Sequence, residues 1–173
     1  MFPKETKILL IGDVTTMRQV IKGSLHTLGY EQVTVANSNT QAWQLIEKEL
    51  ADKKPFQLII ADWNNATPDS FALLKQVRGT KSLSNLPFFF VTSETDKKLV
   101  MQAIQLGVNG LLLKPFTPQM LQQKLDGVHA GLAVANNFSF SVFISAVIWM
   151  VEKPFASIRA VTMTFCPTAT PRM

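Results

Sequence analysis

Apolar residues follow two alternating patterns along the chain up to about residue 130. In the first pattern, short apolar runs are bounded by turn residues, as where Leu58, Ile59, Ile60 and Ala61 lead into Asp62. A short unbroken run of this kind is typical of a strand that is buried on both faces. The first pattern predicts five strands, over residues 7–12, 32–36, 56–62, 86–92 and 110–113.

In the second pattern, apolar residues recur three and four positions apart, which predicts a helix after each strand. Capping residues limit these helices: Gly29 closes the first, Ser38 begins the second, Asp69 begins the third, and Thr117 begins the last, which fades near residue 130. The side chains expected to face the core are Met17, Val20, Ile21, Leu25 and Leu28 in the first helix, Ala42, Leu45, Ile46 and Leu50 in the second, Leu73, Leu74 and Val77 in the third, Leu99, Val100, Ala103 and Ile104 in the fourth, and Leu121, Leu125 and Val128 in the fifth.

Strict alternation of strands and helices with short connections predicts an α/β domain over residues 1–130. Its sheet would be parallel and covered by helices on both faces. Ligands of such sheets bind outside the carboxyl ends of the strands, so that edge is where a functional site is expected. Residues 131–173 are predicted to form a separate C-terminal extension.

Four polar residues, Asp13, Asp62, Thr92 and Lys114, lie at or just after the ends of predicted strands. We expect these side chains to meet at one edge of the parallel sheet. Two carboxylates suit Mg²⁺, while a lysine and a hydroxyl suit a phosphate dianion. The set favours phosphoryl transfer. Because no glycine-rich phosphate loop follows the first strand, bound nucleotide is not expected, and Asp62 fits best as a nucleophile.

The motifs around these residues resemble a known family. Residues 11–18 (IGDVTTMR), 61–64 (ADWN), 91–94 (VTSE) and 114–116 (KPF) are similar to the receiver domain of two-component response regulators. The single-domain chemotaxis response regulators are the most similar type within that family. The resemblance covers roughly residues 4–130, with the motifs in the right order and on the right elements.

The resemblance implies a flavodoxin-like, doubly wound sheet of five parallel strands in the order 2-1-3-4-5. It also implies that Asp62 accepts a phosphoryl group from a phosphohistidine. Mg²⁺ would be held by Asp13, Asp62 and the backbone carbonyl of Asn64, and Thr92 and Lys114 would contact the phosphoryl oxygens. In this family the peptide bond between Lys114 and Pro115 is usually cis.

The implied partners are a sensor histidine kinase or a phosphotransfer protein, and a downstream target on the face made by the fourth helix, fifth strand and fifth helix. A homodimer is left open. Any catalysis would be limited to self-phosphorylation and autodephosphorylation. A degenerate receiver, acting as a phosphorylation-independent binding module, is the alternative. An unrelated flavin-binding enzyme of this fold would need a phosphate-cradling first loop, which the sequence lacks.

The sequence departs from the family pattern at several positions. Gly12 replaces the first of two adjacent acidic residues after the first strand. We therefore expect Mg²⁺ to bind more weakly than it would with a full acidic pair. Leu111 occupies the aromatic switch position on the fifth strand, and Ala66 stands where a proline usually follows the acceptor.

Composition narrows the range of partners. The chain has 173 residues and a formal net charge of +5, but its lysines and arginines are scattered, so no nucleic-acid partner is expected. The single cysteine, Cys166, suits a reducing compartment. The first residues contain no apolar signal-peptide segment, and a cytoplasmic location is predicted. His26 and His129 have no metal-ligand partner at a suitable spacing and are expected to be structural.

The C-terminal extension differs in character from the preceding domain. Residues 132–151 carry no charge and include an alternation of Phe and Ser, whereas residues 152–173 are rich in Thr and Pro. Three interpretations remain open for the uncharged stretch: a strand or interface segment with one apolar face, a membrane contact, and a non-native C-terminus.

Overall fold

The computed structural model of the protein describes residues 1–63, 70–93 and 97–135. Strands and helices alternate throughout, in agreement with the predicted fold class. In chain order they are β1 (Ile8–Ile11), α1 (Thr15–Thr27), β2 (Val33–Ala36), α2 (Asn39–Ala51), β3 (Leu58–Trp63), α3 (Ser70–Gly79), β4 (Phe88–Thr92), α4 (Lys97–Gln105), β5 (Gly110–Leu113) and α5 (Pro118–Ala135). The five-stranded sheet has the order β2-β1-β3-β4-β5, which confirms the order implied by the family resemblance.

Every strand pair in the sheet is parallel, and the register aligns the carboxyl ends. In β3, Ala61 lies beside Ile11 of β1, and Asp62 lies beside Val91 of β4. Thr92 at the end of β4 lies beside Leu113, the last residue of β5. The residues that follow β1 and β5 therefore emerge on either side of Asp62, at one edge of the sheet.

The sheet separates two apolar clusters. All six residues of β3 are buried, and their side chains alternate between the two faces. Ile59, Ala61 and Trp63 pack with α2, α3 and α4, while Leu58 and Ile60 pack with α1 and α5. Burial on both faces is the physical reason why β3 is an unbroken apolar run rather than an alternating one.

The predicted buried face of α1 is correct apart from Val20. Ile21 and Leu25 are fully buried, but Val20 is 47% exposed. Successive residues of a helix are about 100° apart, so Val20 lies beyond the edge of the face centred on Ile21 and Leu25. Two predicted helix limits are confirmed. Gly29 has a positive φ of 84° just after α1, and the Ser38 side chain accepts a hydrogen bond from the Gln41 amide at 3.2 Å at the start of α2.

Helix α5 begins as predicted and continues farther than predicted. The Thr117 hydroxyl accepts a hydrogen bond from the Met120 amide at 3.2 Å, and the helix runs on to Ala135 instead of fading near residue 130. At the start of β5, a Cβ on Gly110 would lie 2.7 Å from both Phe89 and Val128. Strand β5 can therefore approach β4 and α5 this closely only because residue 110 has no side chain.

Several predictions fall on residues outside the described ranges. They concern Asn64 as a metal ligand, Asp69 as a helix cap, and the interpretations of the uncharged stretch at 132–151 from residue 136 onward; its first four residues are the end of α5. The domain boundary near residue 130 stays a prediction. In the part of the chain that the structure describes, no helix is both long and apolar enough to cross a membrane.

Candidate functional site

A buried ion pair lies at the carboxyl edge of the sheet. Asp62 is the penultimate residue of β3, and its side chain is 0% exposed. Lys114 directly follows β5, and its side chain is 12% exposed. The Lys114 ammonium donates a hydrogen bond to Oδ1 of Asp62. The Lys114 backbone amide also donates to the Thr92 carbonyl at 2.8 Å. The ends of β3, β4 and β5 are thus joined at one point, and the Lys114–Pro115 peptide is cis, as the resemblance implied.

Burial makes the Asp62 carboxylate an unusual anion. Desolvation raises the pKa of Asp62, the Lys114 hydrogen bond and charge lower it, and the nearby charge of Asp13 raises it, with a net rise. Oδ2 of Asp62 is buried and has no hydrogen-bond partner among the described residues. The second oxygen of the carboxylate is therefore not stabilised by the contacts that the described chain provides, and it is available to a cation or an electrophile.

Asp13 is exposed and lies in the loop between β1 and α1. Its Oδ1 accepts a hydrogen bond from the Val14 amide at 2.9 Å, and its charge acts on Asp62. Within the described ranges, no group of three or more acidic, His or Cys side chains could hold a metal ion. The available donors are the carboxylates of Asp13 and Asp62. They suit Mg²⁺ in type, since it prefers oxygen ligands and keeps several waters, and the free Oδ2 of Asp62 adds a donor in the buried part of the site.

Thr92 is fully buried at the end of β4. It lies beside Trp63 in β3 and Leu113 in β5. Thr92 is therefore at the carboxyl edge of the sheet, where the sequence places it. Trp63 itself is buried on the opposite face from Asp62, where its ring packs against Phe71 and Phe90 at centroid distances of 5.0 and 5.4 Å. The indole of Trp63 therefore has a packing role in the core.

Gly12 lets Asp62 and Arg18 pack closely around residue 12. A Cβ at residue 12 would lie 3.1 Å from the Cβ of Asp62, 3.3 Å from the Cγ of Arg18 and 3.7 Å from Oδ2 of Asp62. A larger side chain at this position would have to extend between Asp62 and Arg18. The position at which the family usually has an acidic residue is therefore adjacent to the unpartnered Oδ2 of Asp62.

Arg18 is a residue of the site that the sequence did not reveal. Its guanidinium donates to the carbonyl oxygens of Gly12 and Asp13 at 2.5 and 2.9 Å, and to the Thr15 hydroxyl at 2.9 Å. The spacing of residues in α1 places Arg18 off the apolar face of the helix, where a polar side chain is ordinarily solvated. The sequence signal that could have marked Arg18 is its position in the first turn of α1, directly after the loop that carries Asp13. A cation is unfavourable at the amino end of a helix unless other groups bind it.

Comparisons with known proteins agree with this geometry. Residues 8–126 match the family described as "Response regulator receiver domain". The chemotaxis protein CheY homolog of Campylobacter jejuni is 38% identical over 122 residues, which covers 70% of this chain and 91% of that protein. Chemotaxis protein CheY1 of Helicobacter pylori is also 38% identical over 122 residues, and that match covers 70% of this chain and 95% of that protein.

Solved structures give the same result. The chemotaxis response regulator CheY4 of Vibrio cholerae superposes with a TM-score of 0.61 at 30% sequence identity, over 72% of this chain and 98% of that one. The family match extends over more than half of the chain and spans β1 to α5, including Asp13, Asp62, Thr92 and Lys114. The chain therefore belongs to the response regulator receiver domain family.

Proposed function

We propose that the protein is a phospho-accepting receiver in two-component signalling, with Asp62 as the acceptor. The observation that carries this proposal is the state of the Asp62 carboxylate: it is buried, one oxygen is paired with Lys114, and the other has no hydrogen-bond partner in the described chain. A carboxylate held in this way can act as a nucleophile, because a positive charge is already in place for the anion that forms.

The phosphoryl donor is a phosphohistidine on a sensor kinase or a phosphotransfer protein. One oxygen of Asp62 attacks phosphorus, a P–O bond forms and the P–N bond of the donor breaks. The imidazole nitrogen keeps the electron pair of the broken bond, and the ring leaves as neutral histidine if it enters protonated on its other nitrogen. Lys114 and Thr92 then stabilise the phosphoryl oxygens, so catalysis consists of positioning and charge neutralisation.

Receiver domains generally depend on Mg²⁺ for phosphorylation, and the donors of this chain fit that ion. Asp13, Asp62 and the backbone carbonyl of Asn64 would hold it. When bound, Mg²⁺ neutralises the negative charge of the two carboxylates and of the incoming phosphoryl group. The chain's own contribution is to keep Asp13 near Asp62 although the charge of Asp13 raises the pKa of Asp62.

Phosphorylation would be transmitted through Lys114. Before the reaction its ammonium pairs with Asp62, while its backbone amide is fixed to Thr92. A phosphoryl group on Asp62 gives that ammonium a new partner, and the change reaches β5 and the adjoining helices. Met101 of α4 and Leu113 of β5 are 38% and 45% exposed, so this face can offer apolar surface to a downstream target protein.

The relatives are named as chemotaxis proteins, and we extend that role, and a cytoplasmic location, to this protein as part of the proposal. The degenerate alternative would leave the acceptor site without its ion pair or would make it dispensable. The retained pair of Asp62 and Lys114 argues against it.

The proposal is tested by incubating the full chain with acetyl phosphate and Mg²⁺ and recording the intact mass. We expect an adduct of about 80 Da, the mass of one phosphoryl group. Hydroxylamine should remove the adduct, since an acyl phosphate reacts with it and a phosphate ester of Ser or Thr does not. Asp62→Asn should abolish the adduct.

A matched control is Asp52→Asn, which makes the same change at an exposed aspartate just after α2. This variant should be phosphorylated like the unmodified chain. An adduct that persists in Asp62→Asn would contradict the acceptor assignment, and the absence of any adduct on the unmodified chain would support the degenerate alternative.

A further inference from the structure

Two features beside the proposed acceptor belong together. Residue 12 has no side chain, and the aliphatic stem of Arg18 packs where one would begin: a Cβ on Gly12 would lie 3.3 Å from the Cγ of Arg18 and 3.1 Å from the Cβ of Asp62. Gly12 lies in the loop that connects β1 to α1, and Arg18 lies in the first turn of α1. The same loop carries Asp13, the exposed carboxylate proposed as a metal ligand.

The guanidinium of Arg18 donates to that loop and to the first residue of α1. One nitrogen, Nη1, donates to two consecutive carbonyl oxygens, those of Gly12 and Asp13, and Nη2 donates to the Thr15 hydroxyl. A planar guanidinium can make several such bonds at once in a fixed geometry. Because the peptide units on both sides of the Asp13 α-carbon are contacted, these bonds restrict the backbone that aims the Asp13 side chain.

We propose that Arg18 is a positioning residue for the Mg²⁺ site: it fixes the loop that carries Asp13 and thereby compensates for the missing acidic side chain at residue 12. This inference rests on the proposed function, since it concerns the ion held by Asp13 and Asp62. Arg18 acts through the backbone and does not contact the ion.

Charge and position make opposite predictions for Arg18. If the arginine acted only through its charge, it would repel a cation, so its removal would strengthen Mg²⁺ binding. If it acts by fixing the loop, its removal lets Asp13 move and weakens Mg²⁺ binding in spite of the more favourable charge. The sign of the change in affinity therefore separates the two effects.

The experiment is calorimetric titration of Mg²⁺ into the full chain without a phosphoryl donor, for the unmodified protein, Arg18→Ala and Arg18→Lys. We expect Arg18→Ala to weaken Mg²⁺ binding by roughly 10-fold, as is typical when a residue that orients a metal ligand is removed. Arg18→Lys should weaken binding as well, because one ammonium cannot hold two carbonyls and a hydroxyl in the same geometry.

Lys22→Ala is the matched control, because Lys22 lies one turn farther along α1, is exposed and carries the same charge. It should leave the affinity nearly unchanged. Thermal melting of each variant checks that it is folded; if Arg18→Ala is not, Arg18→Lys decides the matter. Unchanged or tighter binding in Arg18→Ala, or full affinity in Arg18→Lys, would overturn the positioning role.

A fourth variant, Gly12→Asp, tests the compensation. It supplies the missing carboxylate and should tighten Mg²⁺ binding by roughly 10-fold. In its presence, Arg18→Ala should cost less affinity than it does alone; an equal or larger cost would overturn the compensation. If the unmodified chain binds no Mg²⁺ yet still forms the adduct on Asp62, the inference about Arg18 fails and the acceptor assignment stands. If neither occurs, the proposed function fails with it.

Discussion

Two partly buried cations lie at opposite ends of the sheet, and their partners differ in kind. Lys114, at the carboxyl edge, is paired with the carboxylate of Asp62. Arg78 of α3 lies near the amino ends of β4 and β5. It donates to the carbonyl oxygens of Gly107, Ser84 and Leu86 at 3.0, 3.2 and 2.8 Å, and to Oδ1 of Asn109 at 2.7 Å.

The difference shows which end of the sheet can change state. The four acceptors of Arg78 are neutral oxygens of the protein, and no ordinary reaction alters them. Burial lowers the pKa of Arg78 to about 10, so the group is still charged at neutral pH. The partner of Lys114 is an ionised side chain that can take up a proton or, as proposed, a phosphoryl group. Arg78 therefore fixes the loops at the amino end of the sheet, whereas the contact of Lys114 changes whenever the charge of Asp62 changes.

The largest loss of stability is expected for Arg78→Ala, which removes the four contacts at the amino end of the sheet. Hydrogen bonds to a charged group contribute about 1.5–3 kcal/mol each, and because such losses are not additive we expect a total of about 4 kcal/mol in the free energy of unfolding. Urea denaturation at several pH values measures it. The loss should be the same at pH 5 and pH 8, because no carboxylate is among the acceptors.

Lys75→Ala serves as the control for Arg78→Ala. Lys75 is an exposed lysine one turn earlier in the same helix, and its removal should change stability little. A loss in Arg78→Ala that grows with pH would contradict the view that neutral oxygens alone hold this arginine.

A somewhat smaller and pH-dependent effect is expected for Lys114→Ala. Removing one partner of a buried ion pair costs about 3 kcal/mol. Without Lys114, both causes that lower the pKa of Asp62 are lost, so that pKa rises further. The cost should therefore be greater at pH 8 than at pH 5, because the unpaired carboxylate is more fully ionised at the higher pH. Urea denaturation of the single variant and of the double variant Asp62→Asn/Lys114→Ala provides the test.

In the double variant the pH dependence should disappear, since the carboxylate is gone. If Lys114→Ala instead loses the same stability at pH 5 and pH 8, the ion pair does not behave differently from the Arg78 contacts, and the comparison between the two ends fails.

The smallest effect is a gain in stability in Asp62→Asn. The pKa of Asp62 is higher in the folded than in the unfolded chain, so the folded state binds the proton more tightly. This contribution to stability is fully present below the unfolded pKa of about 3.9 and is lost as pH rises through the folded pKa. With a chelator present, Asp62→Asn should therefore melt at a higher temperature than the unmodified chain at pH 7.5.

The difference in melting temperature between Asp62→Asn and the unmodified chain should shrink as the pH is lowered towards 4. The exposed-site variant Asp52→Asn should show no comparable gain. A destabilised Asp62→Asn at neutral pH would mean that attraction to Lys114 outweighs the desolvation of the carboxylate.

The sequence predicted the sheet and most of the site because both depend on short-range patterns. The apolar run of β3 ends at Asp62, and the order of strands places Asp13, Thr92 and Lys114 at the same edge. The two arginines could not be assigned in this way. A polar residue on the outer side of a helix is usually solvated, and only the approach of distant backbone, such as residues 84–86 and 107–109 around Arg78, turns it into a structural contact.

Two further differences have similar causes. Val20 belongs to the apolar pattern of α1 by spacing, but how far the covered face extends depends on the neighbouring elements, which periodicity does not report. The length of α5 was also underestimated. The sequence places its end near residue 130, whereas the helix continues through Gly131 to Ala135, because a glycine weakens a helix without ending it.

The close contact at Gly110 has a consequence for how such a protein can diverge. Any side chain at residue 110 would displace Phe89 and Val128, which are 0% and 5% exposed, so we expect every substitution there to destabilise the fold whatever the partner. Leu113, at the other end of the same strand, is 45% exposed and meets no such constraint. Within the four residues of β5, packing therefore restricts the side chain at residue 110 and leaves the side chain at residue 113 unrestricted. Under the proposed function, substitutions at the exposed end of the strand can change the contact with a downstream target while the placement of the strand stays unchanged.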